Sequence, residues 1–170
     1  PCRTMKMPFE NLKLVVFAIN SSLAFSSIVL KKKDKSGVIS FSNKLGKIVP
    51  ASSKRTKLYL LLETLYNIDT QFLDSGVVLL FTQIKRKLPQ RSLLMLYTNF
   101  EHLSALHRQL PYLLAISRKH LLVVIFFENT ELDQLVKNEA QDIPGIFDQA
   151  IAEQFAYDKR LMARELQKYG

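Results

Sequence analysis

Arg91–Phe100, RSLLMLYTNF, decides how the rest of the chain reads. Leu93 to Tyr97 is a run of five large apolar residues. That is too short for a helix and suits a strand covered on both faces. A second run, Leu121 to Phe127 (LLVVIFF), lies one amphipathic pattern further on. Two buried runs joined by a helix form a βαβ unit, and hence a parallel pair. In open parallel sheets, ligands gather at the carboxyl ends of the strands. Thr98, Asn99 and Glu101 stand at one such end, and Glu128, Asn129 and Thr130 at the other. Any site is expected on that edge.

Before this unit, apolar periodicity predicts a helix from Phe9 to about Lys33, with Leu12, Val16, Ile19, Leu23 and Leu30 on one face. Leu14, Val15, Phe17 and Ala18 make its other side apolar, so little of it should face water. Leu12 to Leu30 approaches the ~20 residues of a membrane span. Lys13, Asn20 and four serines interrupt it, which favours a buried soluble helix. Lys31-Lys32-Lys33-Asp34-Lys35 follows, with cations at the favourable pole of the helix dipole. Asp34-Lys35-Ser36-Gly37 signals a turn, and Val38–Phe41 with Leu45–Val49 reads as a hairpin that ends at Pro50.

Ser52 or Ser53 should cap a helix carrying Leu58, Leu61, Leu62 and Leu65. Asp69 or Thr70 should cap the next, with Phe72, Leu73, Val77, Leu80, Phe81, Ile84 and Leu88 inward and Pro89 as its stop. Between the two strands a helix is expected from about Leu103 to Arg118, kinked or split at Pro111. Thr130 with Asp133 resembles a capping box. Asp142 and Pro144 open a last helix, with Phe147, Ile151, Phe155, Met162 and Leu166 on its apolar face and Gly170 as its C-cap.

Composition narrows the function classes. A chain of 170 residues is long enough for one domain with a sizeable core. The single cysteine, Cys2, rules out an intramolecular disulfide and a cysteine-built metal site. It favours a reducing compartment. The polar start, with Pro8 and Glu10, does not read as a signal peptide. The net charge of +9 suits nucleic acid, an anionic membrane surface or an acidic partner, but the cations are dispersed. Neither G-x-G-x-x-G nor G-x-x-x-x-G-K-S/T occurs, so a phosphate cradle of either kind is absent. No G-x-S-x-G occurs. His102 and His107 are not at the i, i+4 spacing of two ligands, and these and His120 read as surface or half-buried histidines. Glu101, Glu128 and Glu131 cluster near the strand ends; acid–base work is conceivable there, but helix capping is the simpler role.

Several segments carry a family likeness: Arg3–Glu10 (RTMKMPFE), Ala18–Leu23 (AINSSL), Leu30–Gly37 (LKKKDKSG), Leu62–Asn67 (LETLYN), Arg91–Leu94 with Tyr97–Glu101, and His120–Val124 with Phe127–Glu131. In this order they resemble a bacterial family, the domain of unknown function numbered 58, a von Willebrand factor A-like group, and its Bacteroidetes-type members most. The resemblance covers essentially the whole chain. It implies an α/β fold of the von Willebrand factor A type: a mostly parallel, Rossmann-like sheet with helices on both faces and one antiparallel edge strand. It implies that residues 1–170 are a single domain truncated at both ends, with a first strand before Pro1 and a last strand after Gly170.

Such folds often hold Mg²⁺ at the strand ends. The resemblance places Cys2 at the first hydroxyl position, Thr4 at the second, Thr56 at the loop threonine and Asn99 where a second Asp would stand. A thiol is a poor Mg²⁺ ligand and Asn99 lacks the charge. The metal-ion-dependent adhesion site is therefore degenerate. No cofactor is expected, Mg²⁺ being the one ion that Thr4, Thr56 and Asn99 could serve. The resemblance further implies a partner, a MoxR-type AAA+ ATPase, in chaperone-like or maturation work. It implies a cytoplasmic domain whose parent protein can be anchored to the inner membrane. The expected function is a non-catalytic protein–protein interaction module, with Thr4, Asn99, Glu101, Glu128 and Asn129 as its docking edge. The alternatives are a metal-dependent hydrolase using Glu101 or Glu128 as base, and a basic nucleic-acid-binding domain, which lacks an aromatic platform among its cations.

Overall fold

The computed structural model describes residues 5, 8–9, 12–41, 45–68, 76–100, 102–127 and 143–169. Two short strands come first, β1 (Pro8–Phe9) and β2 (Leu12–Lys13), paired antiparallel. They occupy the start of the expected first helix, so α1 begins later and spans Leu14–Lys31. Leu14, Ala18, Ile19, Ser26 and Leu30 are its buried residues. Leu14 and Ala18, expected on the opposite side, are buried and Val15 and Phe17 are partly so, but Phe25 and Ile28 are exposed.

The hairpin forms as its pattern predicts, β3 (Ser36–Phe41) antiparallel to β4 (Leu45–Ser52). Its register shifts between Ser36 and Val38, opposite the segment that contains Pro50. A bulge tolerates a proline that a regular ladder would not. Gly37 sits against that segment: a Cβ there would lie 2.7 Å from the Val49 carbonyl oxygen and 2.7 Å from the Ala51 nitrogen. α2 spans Lys57–Tyr66 and buries Leu61, Thr64 and Leu65. The expected serine caps are not used. The helix starts after a turn at Arg55–Thr56, and Ser52 Oγ instead accepts the Lys54 N–H at 3.3 Å. α3 spans Val77–Lys87, with Val77, Leu80 and Ile84 buried and Lys85, Arg86 and Lys87 in its last turn. Asp69, Thr70, Phe72 and Leu73 lie outside the described residues.

β5 (Leu93–Tyr97), α4 (Leu103–Ser117) and β6 (Leu121–Ile125) make the βαβ unit, and the two strands pair in parallel, Leu93 opposite Leu121 and Tyr97 opposite Ile125. α4 is not split; it continues through Pro111, which withholds the N–H that the His107 carbonyl would otherwise accept. The last helix, α5, spans Ile143–Gln167. The Thr130 and Asp133 segment and Gly170 lie outside the described residues.

Packing arranges these elements in layers. Ile39 and Phe41 of the hairpin, Leu94 and Leu96 of β5, and Leu122 and Val124 of β6 meet α3, α4 and α5 in the main core. On the other side, Val38 and Val49 meet Leu23 and Leu30 of α1 and Leu58 and Leu61 of α2. The hairpin thus lies between two helical layers. The molecule is mixed α/β, as expected. The single, mostly parallel sheet is not formed among the described residues. Their strands make three separate two-stranded sheets, and side-chain packing, not a ladder, links the hairpin to the parallel pair.

The parallel pair also departs from its expected burial. The face with Leu94, Leu96, Leu122 and Val124 is the better covered. On the other, α1 reaches the carboxyl end, where Leu14 and Ala18 pack near Tyr97 and Phe127. Leu93 (49% exposed) and Leu121 (58%) stay open at the amino end. α5 is similar. Met162 is buried and Leu166 packs on the core, while Phe147 and Ile151 of the expected apolar face are exposed. The reason is reach. His102 at the start of α4 lies 3.9 Å from Asp158, and His107 lies 4.0 Å from Glu165, so the first half of α5 precedes α4 altogether.

Candidate functional site

The carboxyl edge of β5 and β6 is built from backbone first. β5 ends at Tyr97, and the Thr98 N–H still donates to the Ile125 carbonyl at 3.1 Å, so the pairing runs one residue past the strand. Thr98, Asn99 and Phe100 are all buried. Four aromatic side chains lie at this edge. Tyr97 stacks on Phe127 with ring centroids 6.3 Å apart, and Phe100 meets Phe126 edge-on at 5.7 Å. Tyr97 Oη lies 3.2 Å from Ser21 Oγ, which fastens the edge to α1.

From the opposite layer α5 contributes Lys159. Its Nζ donates to the Phe100 carbonyl at 2.8 Å and lies 5.9 Å from the centre of the Phe126 ring. A charged donor on a half-buried carbonyl is among the stronger hydrogen bonds, and the ring face adds a cation–π term. One lysine thus fixes both strand ends against α5. Sequence reading missed it, although a signal exists: Lys159 occupies a place in the stripe Phe155, Lys159, Met162, Leu166, where an apolar residue would be usual.

The expected site residues fall as follows. Asn99 is at the edge but is 2% exposed, so it supports the edge from below. Thr56 is exposed in the turn before α2, with helical backbone and Arg55 and Lys57 on either side. Thr4, Glu101, Glu128, Asn129 and Cys2 lie outside the described residues. Mg²⁺ takes oxygen ligands that include one or two carboxylates. A buried amide and a hydroxyl flanked by two cations do not fit that requirement. Among the described residues, no group of three or more His, Cys, Asp or Glu is placed to hold a metal.

His120 is 3% exposed, not half-buried as its position suggests. Burial, and then the neighbouring Lys119 charge, push its pKa below the usual 6.5. The neutral imidazole is therefore the stable form. His102 and His107 are exposed and each faces an α5 carboxylate, so they act as helix-to-helix contacts. A groove of about 630 Å³ lies between α4 and the end of α5, with Leu110, Pro111 and Leu114 as its floor and Arg118, Glu165 and Tyr169 at its rim. It is on the side where β6 begins, away from the strand-end edge. No protein-family model, curated protein or solved structure matches this chain.

Proposed function

We propose that this chain is a non-catalytic interaction module of von Willebrand factor A-like type, whose strand-end edge docks a MoxR-type AAA+ ATPase in chaperone-like or maturation work. The resemblance described above motivates the reading. One observation carries it: the parallel edge is packed by Tyr97, Phe100, Phe126 and Phe127 and stapled by Lys159, which makes a rigid platform. The net charge of +9 would steer an acidic partner surface. The same reading puts the domain on the cytoplasmic side of the inner membrane.

The test is direct binding of the purified full chain to a MoxR-type ATPase, with and without ATP. Thr4→Ala combined with Asn99→Ala should weaken binding about tenfold, which is ~1.4 kcal/mol. Because Asn99 is buried, Glu101→Ala with Glu128→Ala is the second variant, and melting curves separate lost contact from lost fold. Affinity that is unchanged in both variants, or absent in the parent chain, would refute the proposal.

A further inference from the structure

A different surface gathers cations beside exposed apolar side chains. α1 and α2 pack side by side and run antiparallel: Tyr66 Oη, at the end of α2, donates to Asn20 Oδ1 at 3.1 Å, while Leu58, near its start, shares a cluster with Leu30. This pairing brings the end of α1 beside the entry to α2. Lys31, Lys32, Lys33 and Lys35 come from the first, and Lys54, Arg55 and Lys57 from the second. Asp34 is the one acidic residue within those two stretches. Among the described residues, none of these seven cations makes an ion pair.

The cations border an apolar surface. The outer face of α2 presents Tyr59 (74% exposed), Leu62 and Tyr66 (58%), and Ile28 of α1 is also exposed. Tyr66, tied to Asn20, lies across the seam. Exposed aliphatic and tyrosine side chains flanked by clustered lysines are the composition of an interfacial membrane-binding surface. α1 is long and apolar enough to cross a bilayer by length and composition. Yet its Ser26 bonds Ser36 at 3.0 Å, and Leu14, Ala18 and Leu30 are buried against the rest of the fold. It is held within the domain, so the geometry favours lying on a membrane over spanning it.

We infer that the α1–α2 face docks onto an anionic lipid bilayer, with the lysine and arginine cluster on the headgroups and Ile28, Leu62, Tyr59 and Tyr66 at the acyl boundary. Charge complementarity selects the occupant. Nucleic acid would use the cations and the tyrosines, but it has no use for Ile28 and Leu62. This inference does not depend on the ATPase proposal, since it uses other residues.

The test is flotation of the full chain with phosphatidylcholine vesicles, with and without phosphatidylglycerol. Binding is expected only with the anionic lipid, and it should fall steeply at about 0.5 M NaCl, where charges are screened beyond a few ångströms. Lys31→Gln with Lys54→Gln should lower affinity about fivefold per cation removed. Ile28→Ser with Tyr59→Ser keeps the charge and should also weaken it. All four side chains are exposed, so circular dichroism should be unchanged. Equal binding to both vesicle types, or no binding to either, would overturn the inference. So would tight oligonucleotide binding together with unchanged vesicle binding in Ile28→Ser, Tyr59→Ser.

Discussion

Lys159 ties α5 to the strand ends, through the Phe100 carbonyl and the Phe126 ring. Lys159→Met keeps the hydrocarbon and removes the donor. It should destabilise the fold by ~1–3 kcal/mol, read as a lower denaturant midpoint at constant slope. An unchanged midpoint would mean that the staple is decorative. His120 makes a pH-dependent prediction. Its folded pKa is depressed and its unfolded pKa is near 6.5, so between the two the unfolded chain binds more protons. Stability should therefore fall as pH drops through 6.5 and below. His120→Leu should flatten that slope in urea melts taken across the same pH range. Nothing in the spacing of Lys119-His120-Leu121 tells that the imidazole is buried. Its burial follows from the turn in which its own N–H, and that of Lys119, bond back to the Ile116 carbonyl at the end of α4.

At the scale of elements, α1 ends in a left-handed cap. Lys33 has φ of 62°, with its N–H bonded to the Leu30 carbonyl and the Asp34 N–H bonded to the Val29 carbonyl, both at 3.1 Å. Glycine is the usual residue at that position. Lys33→Gly should raise stability by about 1 kcal/mol, since the left-handed strain outweighs glycine's extra chain entropy. The same change should weaken anionic vesicle binding. Opposite movements of the two readouts would mark a cation kept at a cost in stability. The elements most legible in the sequence were those with short, dense patterns. Leu93–Tyr97 and Leu121–Phe127 declared a parallel pair, the second strand ending two residues sooner at Ile125, and Val38–Phe41 with Leu45–Val49 declared a hairpin. Boundaries were harder where two readings share the same residues. Phe9, Leu12 and Lys13 continue a helical period, yet they pair in β1 and β2. Phe147 and Ile151 complete an apolar stripe, yet they precede the helix that would cover them.

For the whole molecule, local pattern predicts layers but not their closure. The hairpin and the βαβ unit were both readable, but whether a ladder joins them depends on long-range pairing that no window of sequence contains. The site was half legible for the same reason. The strand-end location follows from the parallel pair, and Asn99 is there. Its burial, and the Lys159 contact across 59 positions of sequence, arise only when the layers assemble. The proposal that this edge is a docking face is tested most directly by hydrogen exchange on the full chain, alone and bound to the ATPase with ATP. Added protection should appear in peptides covering 98–102 and 126–130, with little change over α1 and α2. Protection confined to α1 and α2, or none anywhere, would contradict the account.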